Sequence, residues 1–395
     1  MPKILAINAG SSTLKWQLFE MPQEQVLAKG LIDRMGMRQS TITMQVAGQT
    51  VINRPQDLPT ISAAVAAVMN ALKESGVVRH LSEIQGVGHR IVAGGEAFAD
   101  SAVLTKAALA KVDALAEFAP LHNPPEAAAV RAFAHRLPNV PQVGVFDTAF
   151  HQSMPELNYL YAIKHEYYEQ YGARKYGAHG TSHRYVAARA AAVLNQPLSN
   201  LKLVSMHLGS GSSVTAIAHG RSYDTSMGFT PVAGVVMSTR SGDIDPSLVA
   251  FLMQKLHLRD PQKMVDLLNR DSGLLALSGL SPDMRELEAA ASSNHRAQLA
   301  LDVFANRVVK YVAGYIAEMQ GADALIFTAG IGEADAAMRK RIIDGLAVFG
   351  VTLDETANAS AHGESVLSTP DSRIKVLMIP TNEELMIARD VMRLT

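Results

Sequence analysis

The chain has 395 residues, a length that favours two or three domains. With 36 basic and 37 acidic residues its formal net charge is −1, which argues against a dedicated nucleic-acid-binding protein. It has no cysteine, no apolar run long enough to span a membrane and no signal-peptide pattern at its N-terminus. We therefore expect a cytoplasmic globular protein that does not act on membranes or nucleic acid and uses neither disulfides nor thiol chemistry.

The N-terminal residues predict two strands joined by a tight turn. Residues 3–8 are a short apolar run typical of a buried strand, and residues 14–18 alternate apolar and polar side chains. Between them, residues 9–12 are Ala-Gly-Ser-Ser. Such small residues let backbone N–H groups approach phosphate oxygens, although a Gly-Ser turn is a weak signal by itself.

The same pattern recurs at mid-chain. Residues 201–208 form an apolar run, residues 209–213 are Gly-Ser-Gly-Ser-Ser, and a second strand begins at residue 214. In this comparison Asn8 and His207 occupy the same place at the end of the first strand. Two such hairpins predict a duplicated architecture with a phosphate-sized loop in each half. Two unrelated hairpins are the alternative.

The rest of the chain predicts helices alternating with strands, which is typical of the α/β class. Pro124 and Pro125 predict a rigid loop before the next helix. Helical spacing of apolar residues is found at 61–75, 105–118, 126–137, 185–194 and 301–319. Further strands are predicted at 142–146, 324–327 and 374–379, before a terminal helix. We place one domain boundary near residue 150.

Polar or small residues follow several of the predicted strands: Asn8, Asp147, His207, Gly330 and Glu383. In open α/β sheets ligands bind at the strand ends, so together these residues predict a site, although any one of them could be only a cap or a turn. The sequence contains no P-loop motif, no G-x-G-x-x-G after a strand and no G-x-S-x-G. P-loop NTPases, Rossmann dinucleotide folds and α/β-hydrolases are therefore disfavoured.

Two arginines have surroundings that suit anion binding. Arg90 is flanked by apolar and glycine residues, and Arg240 lies in a Ser-Thr-Arg-Ser-Gly sequence. Arginine can hold carboxylate or phosphate oxygens with two N–H groups at once. The alternative is a structural ion pair, for which Asp243 and Asp245 are nearby partners of Arg240.

His179 and His183 have the i, i+4 spacing of a helical metal pair. Gly180 argues against a helix at this point, and no H-E-x-x-H motif is present. A histidine that donates a hydrogen bond to an anion is favoured over a zinc site.

Ordered blocks over essentially the whole chain carry a more specific signal. They are NAGSS at 8–12, HRIV at 89–92, PLHNPP at 120–125, VFDTAFH at 145–151, HGTSH at 179–183, DTSMGFTP at 224–231, TRSGDIDP at 239–246, TAGIGE at 328–333 and PTNEE at 380–384. These blocks closely resemble the acetate kinase (acetokinase) family of the sugar kinase/Hsp70/actin superfamily.

The resemblance implies an α/β protein with two actin-like, ribonuclease H-like domains, built from a duplicated βββαβαβα unit with an interdomain cleft. We expect residues 1–150 plus 384–395 to form the N-terminal domain and residues 151–383 to form the nucleotide-binding domain. The implied reaction is the reversible, magnesium- or manganese-dependent phosphorylation of a short carboxylate by ATP, giving acyl phosphate and ADP. The resemblance also implies a homodimer.

The resemblance also assigns residues to the site. The reaction centre would contain Arg90, Asp147, His179 and Arg240. The acyl pocket would be formed by Arg90, Val92, Leu121 and Pro231, and the metal would be served by Asn8 and Glu383. The nucleotide would be held by His207, Leu208, Gly209, Ser210, Gly211, Gly330, Ile331 and Gly332, with Asp283, Met284 and Arg285 beside the adenosine. Further phosphate-loop candidates are Ser11, Ser12 and Lys15.

These residue types suit a carboxylate acceptor. A carboxylate is already ionised at neutral pH, so no general base is needed, and the barrier is the approach of one anion to another. We expect Arg90 to hold the carboxylate, and Arg240 and His179 to stabilise the transferring phosphoryl oxygens. Asp147 would orient an arginine or act through the water shell of the metal. Direct in-line transfer is favoured over a phosphoenzyme.

The sequence departs from the family pattern at five positions: Ala93, Ala178, Ser210, Ala233 and Ala334. Ala178 stands where the family has a large aromatic in the acyl pocket. Its small side chain predicts an enlarged pocket and propionate as a fair substrate, unless a neighbouring side chain fills the space. Acetate remains the expected substrate because Val92 is retained. A propionate kinase and an actin/Hsp70-type ATP-binding switch are the alternatives.

Overall fold

The chain folds into two units, each built around its own sheet and hydrophobic core. Unit 1 contains residues 1–150 and 382–395, and unit 2 contains residues 151–381. The structure is a computed structural model and describes residues 1–120 and 122–395. The core of unit 1 includes Trp16 and Phe133, and that of unit 2 includes Phe304 and Phe327.

The secondary structure elements alternate along the chain as the sequence predicts. The strands are Lys3–Ala9 (β1), Leu14–Glu20 (β2), Gln25–Asp33 (β3), Thr41–Val46 (β4), Gln49–Pro55 (β5), Ile84–Ile91 (β6), Ala102–Val103 (β7), Gln142–Phe146 (β8), Lys202–Leu208 (β9), Ser212–Ala218 (β10), Arg221–Thr225 (β11), Ala324–Thr328 (β12), Ser365–Val366 (β13) and Lys375–Met378 (β14). The helices are Ile61–Glu74 (α1), Lys106–Ala114 (α2), Asn123–Arg136 (α3), Glu156–Tyr159 (α4), His165–Tyr171 (α5), Gly180–Val193 (α6), Pro246–Lys255 (α7), Pro261–Arg270 (α8), Gly273–Ser278 (α9), Met284–Ala290 (α10), His295–Glu318 (α11), Ala329–Ala334 (α12), Ala336–Asp344 (α13), Glu355–Ala359 (α14) and Glu383–Leu394 (α15).

The six strands of the second sheet repeat the topology of six of the eight strands of the first sheet. The strand order is β5-β4-β3-β2-β1-β6-β8-β7 in unit 1 and β11-β10-β9-β12-β14-β13 in unit 2. In unit 1, β1, β2 and β3 are antiparallel neighbours, whereas β1, β6 and β8 are parallel. In unit 2, β9, β10 and β11 repeat the antiparallel part, and β9, β12 and β14 repeat the parallel part. The predicted duplication is confirmed, and the alternative of two unrelated hairpins is wrong.

The terminal helix α15 packs closely on the first sheet because β6 contains glycines beneath it. α15 contacts both β1 and β6. A Cβ atom on Gly88 would lie 2.3 Å from Ile387 Cγ2, and one on Gly86 would lie 2.4 Å from Val391 Cγ1. A larger residue at either position would push the helix away from the sheet. The two glycines therefore fix the height at which the first residue of α15, Glu383, lies above the strand ends.

Helix α3 differs from the sequence prediction at its start. The two prolines do not form a separate loop but occupy the first turn of the helix, after Asn123. Proline is well suited to a first turn, because the N–H groups there have no partner within the helix and the fixed φ is already helical. Among residues 1–120 and 122–395, no helix is both long and apolar enough to cross a bilayer.

Candidate active site

Unit 1 gathers charged side chains where its parallel strands end. Asn8 lies in β1, Arg90 in β6 and Asp147 directly after β8, while Glu383 begins α15. Neighbouring parallel strands end at the same edge of a sheet, and this brings the residues together. Arg90 donates from Nε and Nη2 to Asp147 Oδ2, over 3.0 and 2.6 Å, and from Nη1 to Asn8 Oδ1 over 3.3 Å. The structure thus joins the predicted metal residue Asn8 to two residues of the predicted reaction centre.

This cluster carries more negative than positive charge. Burial alone would lower the pKa of Arg90, but the carboxylates of Asp147, Glu383 and Glu126 outweigh it and raise that pKa. Burial raises the pKa of Glu383 to about 7; Arg90 opposes the rise and Asp147 adds to it. Carboxylates in such a setting gain stability from any added cation. The cluster therefore suits a bound cation.

The first turn of unit 1 lies beside the same cluster. Ser11 is exposed at its tip, and Ser12 accepts a hydrogen bond through its carbonyl from the N–H of Met35, over 2.8 Å. Lys15, in the following strand, pairs across the ladder with Asn8. Its charge acts to lower the pKa of Glu383. The predicted phosphate-loop candidates are thus adjacent in space to the residues predicted to serve the metal.

The backbone segment after β6 is held by two side chains of α3. Glu126 Oε2 accepts from the N–H of Val92 over 3.0 Å, and Asn123 Oδ1 accepts from the N–H of Ala93 over 3.1 Å. Val92 is buried and packs with Phe118. The predicted acyl-pocket residue Leu121 lies outside the described residues. Val92 is therefore fixed from both sides, by backbone hydrogen bonds and by an apolar neighbour.

Unit 2 contains a pocket of about 930 Å³, a volume in the range of small-molecule binding sites. Its wall combines the turn after β9, the segment that contains Arg240, the start of α10 and the region of α12 and α13. The lining residues are Gly209, Ser210, Gly211, Ser238, Thr239, Arg240, Pro282, Asp283, Met284, Arg285, Glu288, Gly330, Ile331, Ala334, Asp335, Ala336 and Ala337.

Most of the residues predicted to bind nucleotide line this pocket. Three of them lie outside its wall: Leu208 is fully buried at the end of β9, Gly332 is buried within α12, and His207 stacks on His179 instead. Residues 329–334 form the short helix α12, a segment for which no secondary structure was predicted. One side of the pocket therefore consists of short glycine-containing segments, where backbone groups can approach an anion closely.

The start of α10, which also lines the pocket, carries a charged pair. Asp283 accepts from the backbone N–H of Arg285 over 2.9 Å and receives a second hydrogen bond from its Nη2 over 2.6 Å. Burial, together with the nearby carboxylate of Asp335, raises the pKa of Glu288 to about 7. Sequence reasoning missed Glu288 and Asp335. A single acid within α10 gives no distinctive sequence signal, and neither does the acid that caps α13.

His179 occupies a strained position at the start of α6. The helix begins at Gly180, so the expectation that this glycine disfavours a helix is wrong. His179 caps the helix with φ 58°, a left-handed conformation that costs a non-glycine residue about 1–3 kcal/mol and is common at functional sites. Its Nδ1 is 2.9 Å from Ser213 Oγ, and its ring stacks on His207 with a centroid separation of 4.1 Å.

His179 and His183, the two histidines with i, i+4 spacing, share one serine partner. His183 Nε2 lies 2.8 Å from the same Ser213 hydroxyl that His179 contacts, so both rings are directed at a serine. Among the described residues, no group of three or more His, Asp or Glu side chains is arranged to hold a metal ion.

Arg240 lies beside His179 at the turn after β9. A Cβ atom placed on Gly211 would be 3.4 Å from Arg240 Nη1 and 3.5 Å from His179 Nε2, so both side chains border the same small residue. The two aspartates considered as structural partners of Arg240 have other contacts. Asp243 accepts from the N–H of Gly234 over 2.8 Å, and Asp245 accepts from the N–H of Ser247 over 2.7 Å. Arg240 Nη1 and His179 Nε2 thus both lie at the glycine turn.

The surroundings of Ala178 bear on the predicted acyl pocket. Ala178 packs with Met227 and Met237, and both methionines have no exposed surface. Met237 Sδ is 3.6 Å from Arg240 Nη1, and the carbonyl of Pro231 is 3.5 Å from the same nitrogen. Two flexible methionine side chains therefore fill space beside the small residue and connect it to the region of Arg240.

Residues 3–389 match the family model described as the acetokinase family. The chain belongs to the acetokinase family. It is 57% identical over 393 residues to an acetate kinase of Lactiplantibacillus plantarum, an alignment that covers 100% of the chain and 99% of the relative. An acetokinase transfers a phosphoryl group from ATP to a carboxylate, so the chain is an enzyme of that kind.

Solved structures of the family match over the full chain. The crystal structure of Porphyromonas gingivalis acetate kinase superposes with a TM-score of 0.94 at 41% identity, covering 100% of this chain and 99% of that one. A propionate kinase from Francisella tularensis subsp. tularensis superposes with a TM-score of 0.94 at 39% identity, covering 100% of both chains. The acetokinase resemblance and the α/β fold with two actin-like domains are confirmed.

Sequence reasoning also missed Glu126, a buried acid of unit 1 that accepts a hydrogen bond from the N–H of Val92. This carboxyl group is 2% exposed, and its burial raises its pKa to about 7. A sequence signal was available, because a lone acid one position after two prolines lies in the first turn of a helix, next to a block that resembles the family. What the sequence did not give was the partner of this acid, the N–H of Val92.

Proposed function

We propose that this acetokinase is an acetate kinase, which transfers the γ-phosphoryl group of ATP to acetate and gives acetyl phosphate and ADP reversibly. One observation carries the proposal: Arg240 and the glycine turn 209–211 border one pocket of nucleotide size in unit 2. The full-length identity of 57% to an acetate kinase supports the choice of acetate.

The first step is the binding of acetate by Arg90. The contacts with Asp147 and Asn8 hold the guanidinium in one orientation but do not use every N–H group of its fork. A carboxylate can accept from the groups that remain. In this account Asp147 orients Arg90 and does not itself take a proton, and no general base is required because acetate is already ionised.

The second step is direct in-line transfer to a carboxylate oxygen. The nucleotide phosphates would lie against the backbone of residues 209–211 and 330–331, and the adenosine would lie beside residues 283–285. Arg240 and His179 donate to the oxygens of the transferring group, where negative charge must be stabilised as the bond to ADP breaks. Support comes from the position of both side chains at Gly211.

Asn8 and Glu383 fit a magnesium ion, and manganese shares the same preference for oxygen ligands. Magnesium is bound in nucleotide enzymes by one or two protein oxygens together with waters and phosphates, so a large cluster of ligands is not expected. The carboxylates of Asp147 and Glu384 oppose the ionisation of Glu383, and a cation bound at this place would offset their repulsion. When bound, the ion would neutralise phosphate charge. Glu383 and Asn8 would hold it, while Arg90 and Asp147 remain with the carboxylate.

Propionate is the second candidate substrate. Ala178 and the structural match to a propionate kinase favour it. Met227 and Met237 favour acetate, since they fill the space beside Ala178, and Val92 is retained. The decisive experiment compares kcat/KM for acetate, propionate and butyrate. We expect acetate to be preferred and propionate to be used. A preference for propionate would make the enzyme a propionate kinase, and ADP release independent of any acid would indicate an ATP-binding switch.

We also propose that the enzyme is a homodimer and acts in the cytoplasm, where ATP is available. Support for the dimer comes from α7, an apolar helix with no buried residue in the single chain, in which Leu248 and Phe251 are 44% and 51% exposed. Apolar surface of this kind is typical of interfaces. Light scattering should give the mass of a dimer for the wild type and of a monomer for Phe251→Glu. A monomeric wild type would contradict the proposal.

A further inference from the structure

A chain of hydrogen bonds runs behind His179 through buried groups of unit 2. Ser213 Oγ lies 2.9 Å from His179 Nδ1 and 2.8 Å from His183 Nε2. On the other side of the His183 ring, Nδ1 lies 2.9 Å from Ser205 Oγ. Ser205, Ser213 and His183 have no exposed surface. The hydrogen-bond chain therefore runs from Ser205 through His183 and Ser213 to His179. Its members come from β9, β10 and the start of α6.

The number of protons limits how this chain can be arranged. Burial, reinforced by nearby His151 and His207, holds the pKa of His183 well below its usual value, so the ring is neutral. A neutral imidazole donates from one nitrogen and accepts at the other, and a serine hydroxyl has one proton to donate. If Ser213 donates to His179, it accepts from His183, which then accepts from Ser205. If His183 donates to Ser205 instead, Ser213 donates to His183 and accepts from His179. Acceptance by Ser213 from both rings is disfavoured, because it would leave the buried hydroxyl proton of Ser213 without an acceptor.

The two directions leave His179 with different chemistry. In the first, Nδ1 is the acceptor and Nε2 carries the proton. In the second, Nδ1 carries the proton, and a neutral ring presents a bare lone pair at Nε2. Nε2 lies beside Gly211, together with Nη1 of Arg240. The charge of Arg240 disfavours a second positive charge on His179, and an anion at this place is repelled by a bare lone pair. Only the first direction makes a neutral His179 a donor to phosphate.

We propose that Ser205, His183 and Ser213 are positioning residues, which hold His179 in the tautomer that donates from Nε2 to the transferring phosphoryl group. The inference rests on the proposed role of His179 in phosphoryl transfer. The stacked ring of His207 supports the same orientation, because its Nδ1 is anchored 2.9 Å from Ser182 Oγ. The hydrogen-bond chain thus determines which nitrogen of the His179 ring carries the proton. Neither the left-handed backbone of this helix cap nor the neighbouring Arg240 determines the tautomer alone.

The test combines kinetics with nitrogen NMR of protein labelled at histidine with ¹⁵N, the His179 signals being assigned by their loss in His179→Asn. In the wild type we expect a protonated Nε2 and an unprotonated Nδ1. Ser213→Ala should give a mixture of tautomers and a kcat lower by about 10–100-fold, the usual effect of removing an orienting partner, with little change in KM for ATP. Ser213→Thr, which retains a hydroxyl group, should restore both the spectrum and kcat.

Ser372→Ala is the matched control. Ser372 is also a buried serine of unit 2, and its hydroxyl group donates to the carbonyl of Ile374 over 2.7 Å, but it belongs neither to the hydrogen-bond chain nor to the pocket wall. It should leave the tautomer and kcat unchanged, and Ser205→Ala should have a smaller effect than Ser213→Ala. A wild-type His179 protonated at Nδ1 would overturn the proposal. So would a Ser213→Ala variant in which the tautomer changes but kcat does not, or in which kcat falls but the tautomer does not change. If the wild type shows no acetate-dependent turnover, the proposed function fails, while the spectra still decide the tautomer.

Discussion

Units 1 and 2 share the order of six strands but place different chemistry at the ends of corresponding strands. Where β1 ends, unit 1 has Asn8, and where β9 ends, unit 2 has His207. Unit 1 surrounds its strand ends with buried charges, and the Arg90–Asp147 pair is the centre of that cluster. Unit 2 instead has small turns, histidines and serines, with Arg240 at the edge of a pocket. The shared fold supplies the positions, and the side chains decide which ligand each unit binds.

This comparison predicts that substituting an arginine in unit 1 and one in unit 2 changes different kinetic constants. Arg240→Ala should have the largest effect, a fall in kcat of about 1,000-fold or more, because the lost donor acts on charge that develops in the transition state. The measurement is acetate-dependent ADP formation at saturating substrates. Arg341→Ala, which breaks an exposed pair with Asp302 in the same unit, serves as the control and should be nearly neutral. A near-normal kcat in Arg240→Ala would remove this residue from the transfer step.

Arg90→Ala should act mainly on the acid. The substitution removes a charge-assisted contact to the carboxylate, so KM for acetate should rise by about 10–100-fold, with a much smaller change in KM for ATP. Initial rates over a grid of both substrates separate the two constants. Arg54→Ala, in an exposed pair with Glu74, is the control within unit 1. If KM for ATP rose more than KM for acetate, the roles assigned to the two units would be reversed.

Met237→Ala tests the size of the predicted acyl pocket separately from its charge, because the substitution removes an uncharged side chain. Loss of the side chain beside Ala178 should raise the ratio of kcat/KM for propionate over acetate by about tenfold, the order expected for one methylene group in an apolar pocket. Met319→Ala, a buried methionine in the main core of unit 2, should lower stability but leave that ratio unchanged. An unchanged ratio in Met237→Ala would show that the methionine does not limit the acyl pocket.

The smallest expected effect concerns the buried acid of unit 1. Because the pKa of Glu126 rises from 4.5 to about 7 on folding, the folded protein binds more protons than the unfolded chain between these values. Its contribution to the free energy of unfolding is therefore largest at low pH and declines as the pH rises through that window. Glu126→Gln should flatten the fall of Tm between pH 5 and pH 7.5. An identical slope in wild type and variant would contradict the assigned pKa shift.

Much of the architecture could be predicted from local patterns. Strand periodicity and small turns gave the duplicated hairpin, because a strand–turn–strand unit depends on neighbours in the sequence. Asn8 and Asp147 could be predicted to lie at one site because both follow predicted strands. Arg90 was placed with Asp147 only by the family resemblance, since its strand β6 was not predicted. The start of α6 was predicted wrongly, because the left-handed cap at His179 depends on tertiary contacts. The partners of Glu126 and Ser213 could not be predicted, since they join distant segments through single hydrogen bonds.

The most direct test of the account follows phosphorus itself. Purified protein is incubated with ATP, magnesium and acetate, and ³¹P NMR records the products with and without the acid. The account predicts that acetyl phosphate and ADP form together in equal amounts, and that omission of acetate stops both. Release of ADP with inorganic phosphate at the same rate in the absence of acetate would contradict the assignment of a carboxylate as the phosphoryl acceptor.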